Sequence, residues 1–158
     1  MSRMKRIVDN LEVTVFAHAT ENENKVLKCL QVVLPENIGV EKNLLRGHYG
    51  NPITKFFGKC HGKKAQSCLD DLIRKMSRED LKSLIENLKN KFDSSCHLYL
   101  RLSKQEAYEG KVKLSEGDDV IHVKVKVLAR PAKVENATRI IRNYLLGVSG
   151  CVEKEEDT

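Results

Sequence analysis

The sequence predicts a single α+β domain in which helices cover one face of a mainly antiparallel sheet. Three observations lead to this fold class. Apolar residues alternate in segments near both ends of the chain, as they do in half-buried strands. In other segments they recur at helical spacing. No repeat, low-complexity tract or linker divides the 158 residues, so we expect one domain over residues 1–150 and an acidic tail at residues 151–158.

The first four elements follow from alternation, capping and turn residues. Apolar residues alternate over Leu11–Ala17, which predicts a half-buried strand. Thr20 and Glu23 have the spacing of a capping box, so a helix is predicted to begin there and to end before the next proline. Residues 38–45 and 52–58 are predicted strands, and the short glycine-containing connection between them makes a hairpin the simplest joining.

The second half of the chain is predicted to add two helices, three strands in an antiparallel meander and a closing helix. Helical spacing of apolar residues and alternation of apolar with polar residues distinguish the two kinds of element. The helices are expected at residues 65–76, 77–92 and 134–147, and the strands at residues 96–102, 111–115 and 119–129. The predicted order is therefore β-α-β-β-α-α-β-β-β-α.

Alternation in the last three strands assigns their side chains to two faces. The residues that face the helices are apolar. The residues that face away are His97, Tyr99, Arg101, Lys111, Lys113, His122, Lys124 and Lys126. An outer sheet face is normally polar, and lysine there also discourages edge pairing. Cations on one side of three strands, with no carboxylate at these positions, nevertheless favour a nucleic-acid surface, because cations attract phosphates and rings stack on unpaired bases.

Two connections add polar and aromatic groups to this candidate surface. The hairpin connection supplies Arg46, His48, Tyr49 and Asn51. The segment after the strand at residues 96–102 supplies Lys104, Gln105 and Tyr108. Cations, amides and rings in turn-rich segments suit a flat, polar, anionic ligand. A purely structural hairpin explains the glycines and Pro52 well, and explains the four polar and aromatic side chains of the connection less well.

Charge and cysteine content narrow the function classes. The chain has 28 Lys and Arg against 22 Asp and Glu, a formal net charge of +6 and a pI near 9.1, which favours an acidic partner. We expect a cytosolic protein without membrane contact, because no apolar run is long enough to span a bilayer and no secretory signal is present. The five cysteines contain no CxxC pair and are expected to be free, mostly buried thiols.

The sequence predicts neither an enzyme nor a metal or cofactor site. No P-loop, GxGxxG, GxSxG or HExxH motif is present. Part of a metal site at Cys60, His61 and Cys68 is the less favoured alternative, because tetrahedral zinc requires four ligands at tighter spacings than these. A hydrolase that uses His18 or His48 as general acid or base is the enzymatic alternative, and no positioned nucleophile accompanies either histidine.

Three blocks of sequence resemble a known family. They are residues 46–53 (RGHYGNPI), 98–110 (LYLRLSKQEAYEG) and 119–127 (DVIHVKVKV), and the junction at residues 16–21 (FAHATE) fits as well. In order and spacing they are similar to archaeal predicted RNA-binding proteins that are also described as exosome-associated subunits, over essentially the whole chain. The resemblance implies a fold similar to the large-subunit ribosomal protein that binds 5S RNA, and it implies RNA as the ligand.

The leading hypothesis is therefore a non-catalytic RNA-binding protein that acts in RNA processing or degradation. Its expected RNA-binding residues are those named above on the outward sheet face and in the two connections, with the exception of His97. The rival hypothesis is an adaptor whose loops dock a protein partner in an RNA-processing complex without touching RNA, because aromatic and arginine-rich loops are also common at protein interfaces.

Overall fold

A five-stranded sheet covered by helices forms the protein, as a computed structural model shows for residues 6–35, 38–47 and 50–149. The strands are β1 (Val8–His18), β2 (Val40–Arg46), β3 (Pro52–His61), β4 (His97–Ser103) and β5 (Val120–Val127). The helices are α1 (Glu23–Val33), α2 (Gly62–Lys75), α3 (Arg78–Glu86), α4 (Lys104–Tyr108) and α5 (Val134–Ser149), with a 3-10 turn at Leu88–Lys91. The α+β fold class is confirmed.

The strand order across the sheet is β2-β3-β1-β5-β4, and every neighbouring pair is antiparallel. This order decides which connections meet. The carboxyl ends of β1, β2 and β4 and the amino ends of β3 and β5 lie along one end of the sheet. Three of the segments singled out in the sequence, the hairpin connection, the β1–α1 junction and the segment after β4, therefore share that end.

The core lies between the sheet and the helices. Inward residues of the four strands β1, β3, β4 and β5 pack with the apolar stripes of α1, α2, α3 and α5. The largest of the fully buried side chains are Leu11, Leu30, Leu69, Leu72, Ile73, Leu84, Leu88, Leu98, Leu100, Leu102, Ile121 and Ile141. The opposite face of the sheet carries the alternate, outward residues, so the prediction that helices cover one face is confirmed.

Two helix starts test the capping predictions. The helix expected to begin at Thr20 begins later, because Asn22 is the N-cap and its side chain accepts from the amides of Asn24 and Lys25. Glu23 does not complete a capping box; its carboxylate accepts from the Thr54 hydroxyl at 2.7 Å. Ser77, where the sequence predicted a helix to begin, is the N-cap of α3.

The strand predicted at residues 111–115 is not a strand of the sheet. Ser103–Tyr108, expected as a connection, instead caps and forms the short helix α4, with the Ser103 hydroxyl accepting from the Glu106 amide. The segment that follows makes one bridge to Met76 through Val112 and one to Leu102 through Leu114. Because its few backbone bonds are divided between two partners, it does not form a ladder, and β4 pairs with β5 instead.

The described cysteines, Cys29, Cys60, Cys68 and Cys96, are free and buried, as expected. In the same part of the chain, no helix has both the length and the apolar character that crossing a membrane requires. His48, Tyr49, Cys151 and the acidic tail at residues 151–158 lie outside the described residues, so the predictions made for them stay predictions.

Candidate nucleic-acid interface

The outward residues of β1, β3, β4 and β5 form a continuous surface, called the open face here. Strand register places them in rows that cross the sheet. One row joins Lys59, Glu12, Lys124 and Tyr99. The next row joins Phe57, Thr14, His122 and Arg101. Each row spans three inter-strand steps, or about 14 Å at ~4.8 Å per step.

Aromatic rings lie beside cations on the open face. The Lys124 ammonium lies 5.9 Å from the centre of the Tyr99 ring, and the Lys55 ammonium lies 5.7 Å from the centre of the Phe57 ring. Phe16 meets His122 edge-on, with 6.5 Å between ring centres. Tyr99 is 41% exposed. A sheet surface with rings at several positions is a platform on which unpaired bases stack, with neighbouring cations available to phosphates.

The cations of the open face differ in how they are held. Lys59 pairs with Glu12 at 3.3 Å, and Arg101 pairs with Asp118 at 3.6 Å and also donates to the carbonyl oxygen of Gly117. Lys126 donates to the Ser95 carbonyl oxygen at 2.8 Å. Within the described residues Lys55 and Lys124 form no ion pair, so their ammonium groups are the most available of the sheet's cations for phosphate.

Carboxylates also border this surface, which the alternation of the last three strands did not reveal. Asp93, before β4, accepts from the Tyr99 hydroxyl at 2.9 Å and from the backbone amides of Ser95 and His97. Burial opposes its ionisation, but those bonds outweigh burial and hold its pKa at about 2. Asp93 therefore anchors the hydroxyl of Tyr99 and leaves the ring on the surface.

His122 lies in the middle of the open face, between Thr14 on β1 and Arg101 on β4. Burial lowers its pKa below the usual value, and the charge of Arg101 lowers it further. The imidazole is therefore neutral at pH 7, so that it acts on this surface as a ring and a hydrogen-bonding group and adds no positive charge.

Four residues that complete the open face on β1 and β3 were not predicted as binding residues from the sequence: Phe16, Lys55, Phe57 and Lys59. For the three residues of β3, the signal was present in the alternation of residues 53–60, but two inward positions of that strand are not large apolar residues. Thr54 is buried through its bond to Glu23. Gly58 is also inward, and the Leu34 side chain packs so closely against it that a Cβ there would collide with Leu34.

The predicted residues Lys111 and Lys113 lie beyond the outer edge of β4. The Lys113 carbonyl oxygen accepts from the Ser103 amide at 2.8 Å, and Lys113 alternates with the buried Val112, so it borders the open face next to Ser103. Lys111 is exposed and lies 3.8 Å from Glu109. Both belong to the rim of the open face.

At the other edge, the β2–β3 connection is held by its own backbone. The Gly47 amide donates to the Asn51 carbonyl oxygen at 2.7 Å, and the Arg46 guanidinium donates to the Gly50 carbonyl oxygen at 3.2 Å. Gly50 has a φ of 81°, which favours glycine. The exposed Asn51 helps to line a cleft of about 350 Å³ against His18 and Thr20. The structure thus brings this connection next to the β1–α1 junction.

A buried ion-pair network joins the other segments at this end of the sheet. Lys104, expected as a surface cation, is only 2% exposed. Its ammonium donates to the Phe16 carbonyl oxygen, to both Glu21 carboxylate oxygens and to Asp119, all at 2.9–3.0 Å. His18 lies 3.6 Å from Asp119. We call His18, Glu21, Lys104 and Asp119 the end cluster.

The end cluster contains three groups of the kind that bind metals. One ligand atom each from His18, Glu21 and Asp119 lies within 4.8 Å of the others. The Lys104 ammonium, however, already pairs with both carboxylates, and its charge would repel a divalent cation. The arrangement is that of an internal ion pair, which fastens β1, the start of α4 and the start of β5 together.

Tyr108 and Gln105 project from α4 beside the end cluster, separate from the open face. The Tyr108 hydroxyl donates to Glu21 at 3.1 Å, while the tyrosine remains 37% exposed. Burial and the nearby Glu21 charge raise the pKa of Tyr108 to about 12, so the hydroxyl stays protonated as a donor. The sequence-predicted residues therefore divide between the open face and the end of the sheet.

Comparison with known proteins gives a consistent result. A family model described as RNA binding matches residues 10–127. The chain is 40% identical over 144 residues to the RNA-binding protein PAB1135 of Pyrococcus abyssi, covering 87% of this chain and 94% of that protein. Among solved structures, the DUF54 protein Mth689 of Methanothermobacter thermautotrophicus has a TM-score of 0.76 at 33% identity, covering 88% and 98% of the two chains. Protein AF2318 of Archaeglobus fulgidus, also of DUF54, has a TM-score of 0.79 at 25% identity over 86% and 98%.

Proposed function

Because this chain belongs to the RNA-binding family, we propose that it is a non-catalytic protein that binds single-stranded or looped RNA on the open face. The observation that supports this proposal is the arrangement of rings among cations on a sheet face that no helix of the described residues covers. Phe16, Phe57 and Tyr99 offer stacking surfaces, and Lys55 and Lys124 offer unpaired ammonium groups. Unpaired bases reach such rings, whereas bases inside an A-form duplex do not.

The proposal extends to the cellular role. A protein that holds single-stranded RNA without cleaving it suits RNA processing or degradation in the cytosol, as an exosome-associated subunit that presents substrate to an enzyme. The described residues near the end cluster support the non-catalytic part, since the carboxylates that would act as general bases are engaged by Lys104.

The test compares a variant of the open face with a control variant on a remote surface, and both variants change the net charge by the same amount. Lys124→Gln/Lys126→Gln removes two cations from the open face, and Lys82→Gln/Lys89→Gln removes two exposed cations from α3 and the following turn. We expect tighter binding of a short single-stranded RNA than of the matching duplex, and a loss of affinity in the first variant that clearly exceeds the loss in the second. Absence of binding at low salt, or equal losses in the two variants, would contradict the proposal.

One observation favours the adaptor alternative. An apolar cleft of about 520 Å³ lies between α3 and α5, lined by Leu81, Ile85 and Leu146, and Leu146 is 48% exposed. A protein partner could bury this surface without involving the open face. Capture of partners from native cytosol with and without ribonuclease separates the two functions: partners that survive ribonuclease favour the adaptor, and partners that disappear favour RNA.

A further inference from the structure

A second cleft lies between α1 and α4, on the helical side of the end cluster. It has a volume of about 460 Å³ and is lined by Glu21, Asn22, Lys25, Lys28, Gln105 and Tyr108. Sites for small molecules have volumes of roughly 300–1,000 Å³ and a few convergent polar groups. Here one wall is an aromatic ring and an amide from α4, and the other is a pair of cations from α1.

Of the groups that line this cleft, Tyr108 is held in place, whereas Gln105, Lys25 and Lys28 have side chains available to a ligand. Tyr108 is fixed, since its hydroxyl donates to Glu21 and α4 is fastened through Lys104. Among the described residues, the Gln105 amide has no hydrogen bond and neither Lys25 nor Lys28 has an ion pair. A rigid ring with an amide beside it and two ammonium groups opposite suits a flat, hydrogen-bonding, negatively charged ligand.

The charge of the cleft favours an anion despite Glu21. Both Glu21 carboxylate oxygens accept from the buried Lys104 ammonium, and one also accepts from the His18 amide at 2.8 Å. Burial alone would raise the pKa of Glu21, but these bonds keep it below the ordinary value. The carboxylate is thus ionised and paired with Lys104, which it shares with Asp119. Lys25 and Lys28 together outnumber this single carboxylate, so the cleft keeps positive charge for a ligand.

We propose that the α1–α4 cleft binds one nucleotide unit of a single-stranded RNA, with the base on Tyr108 and Gln105 and the phosphate at Lys25 and Lys28. This rests on the proposed RNA-binding function and adds a second contact to it. The path between the two surfaces runs past Phe16, whose ring meets His122 on the open face and whose carbonyl oxygen accepts from Lys104. One strand of RNA that leaves the open face at Phe16 reaches the cleft around the end of the sheet.

Two pairs of variants test the cleft in the full chain. Lys25→Gln/Lys28→Gln removes its cations, and Lys82→Gln/Lys89→Gln is the control with the same change in net charge. For a short single-stranded RNA, we expect the first variant to flatten the dependence of log affinity on log salt by about 0.7, the value for the one phosphate contact that is lost, and the control to leave it unchanged. Tyr108→Leu removes the ring, and we expect it to weaken binding about tenfold, the effect of one lost stack. Tyr108→Phe keeps the ring and should stay within about twofold.

A probe that does not depend on the open face distinguishes failure of the cleft proposal from failure of the proposed RNA-binding function. Backbone amide shifts are followed while adenosine and uridine monophosphate are added, and we expect changes at residues 22–28 and 104–108. If RNA binding depends on Lys124 and Lys126 but the cleft variants match the control, the cleft proposal is overturned and the RNA-binding function stands. If RNA does not bind but the mononucleotides shift the cleft, the RNA function fails and the ligand is a free nucleotide. If neither probe binds, both proposals fail.

Discussion

Replacing Lys104 by methionine tests how much the end cluster contributes to the stability of the protein. The change keeps an unbranched side chain of similar length in a site that is 2% exposed, and it removes the ammonium that four carboxylate and carbonyl oxygens accept from. Removing one partner of a fully buried ion pair typically lowers the free energy of unfolding by about 3–5 kcal/mol. Glu21 and Asp119 remain 22% and 60% exposed, so water partly rehydrates them. We therefore expect a loss of about 2–3 kcal/mol, below that range.

Thermal and urea unfolding measure this loss. For a domain of this size, a loss of 2–3 kcal/mol corresponds to a Tm lower by about 5–10 °C. Lys111→Met is the control, because Lys111 is exposed and its Glu109 contact is 3.8 Å long, and we expect a change within about 0.5 kcal/mol. In the double variant Lys104→Met/Glu21→Gln the losses should not add, since the two groups contact each other. Equal, small changes in Lys104→Met and Lys111→Met would refute the buried ion pair.

Three further predictions concern the open face. If the cations of the open face and its rim together neutralise about six phosphates of single-stranded RNA, log affinity falls with log salt at a slope of about −4. The Gln variant of Lys113, Lys124 and Lys126 should then reduce the slope to about −2 in titrations over a salt series, and an unchanged slope would place the phosphates elsewhere. Tyr99→Leu should weaken binding of unpaired RNA by about 1–3 kcal/mol while Tyr99→Phe has a much smaller effect, and equal effects would exclude stacking. The pKa of Asp93 is lowered from 3.8 to about 2, so its contribution to stability is present above pH 4 and is lost as the pH falls toward 2. After allowance for its exposure this contribution is about 1 kcal/mol, and Asp93→Asn should abolish that part of the pH dependence in thermal unfolding.

The sequence predicted the strands best where alternation and pairing coincide. Over residues 120–127 every second residue is apolar, and the strand pairs on both sides, with β1 and with β4. Residues 111–115 alternate in the same way but make only isolated bridges to Met76 and Leu102. Alternation reports which side chains are buried and carries no information about whether the backbone finds a complete partner strand. The element order was therefore wrong at this one place, whereas the assignment of side chains to the two faces was confirmed for β4 and β5.

The open face was only half predictable for a related reason. The outward residues of β4 and β5 were identified because their inward neighbours are uniformly large and apolar. On β3 the inward positions include Thr54 and Gly58, whose burial depends on Glu23 and Leu34 from elsewhere in the chain. A residue that is inward because of a distant contact has no periodic signal in its own segment. Lys55 and Phe57 were therefore not recognised as part of the site.

Lys104 shows the remaining limit, since a buried lysine and a surface lysine look alike in a sequence. What distinguishes Lys104 is the topology. Ser103 ends β4 and caps α4, so residue 104 is the first of the helix and lies at the sheet end. The antiparallel order brings the end of β1, with Glu21 beyond it, and Asp119, at the start of β5, to the same end. The same ammonium also satisfies a carbonyl oxygen of β1, at Phe16. An ammonium is buried in proteins where opposite charges and acceptors surround it, and here those partners come from elements that the sheet order alone brings together.

The position of Tyr108 in the α1–α4 cleft depends on Lys104, because Lys104 opens α4 and fastens this helix to Glu21. We therefore expect Lys104→Met to weaken RNA binding through the cleft even where RNA never touches residue 104. Tyr108→Leu made in the Lys104→Met background should then add less than it does in the native protein, and full additivity in RNA titrations would show that Lys104 does not position that ring.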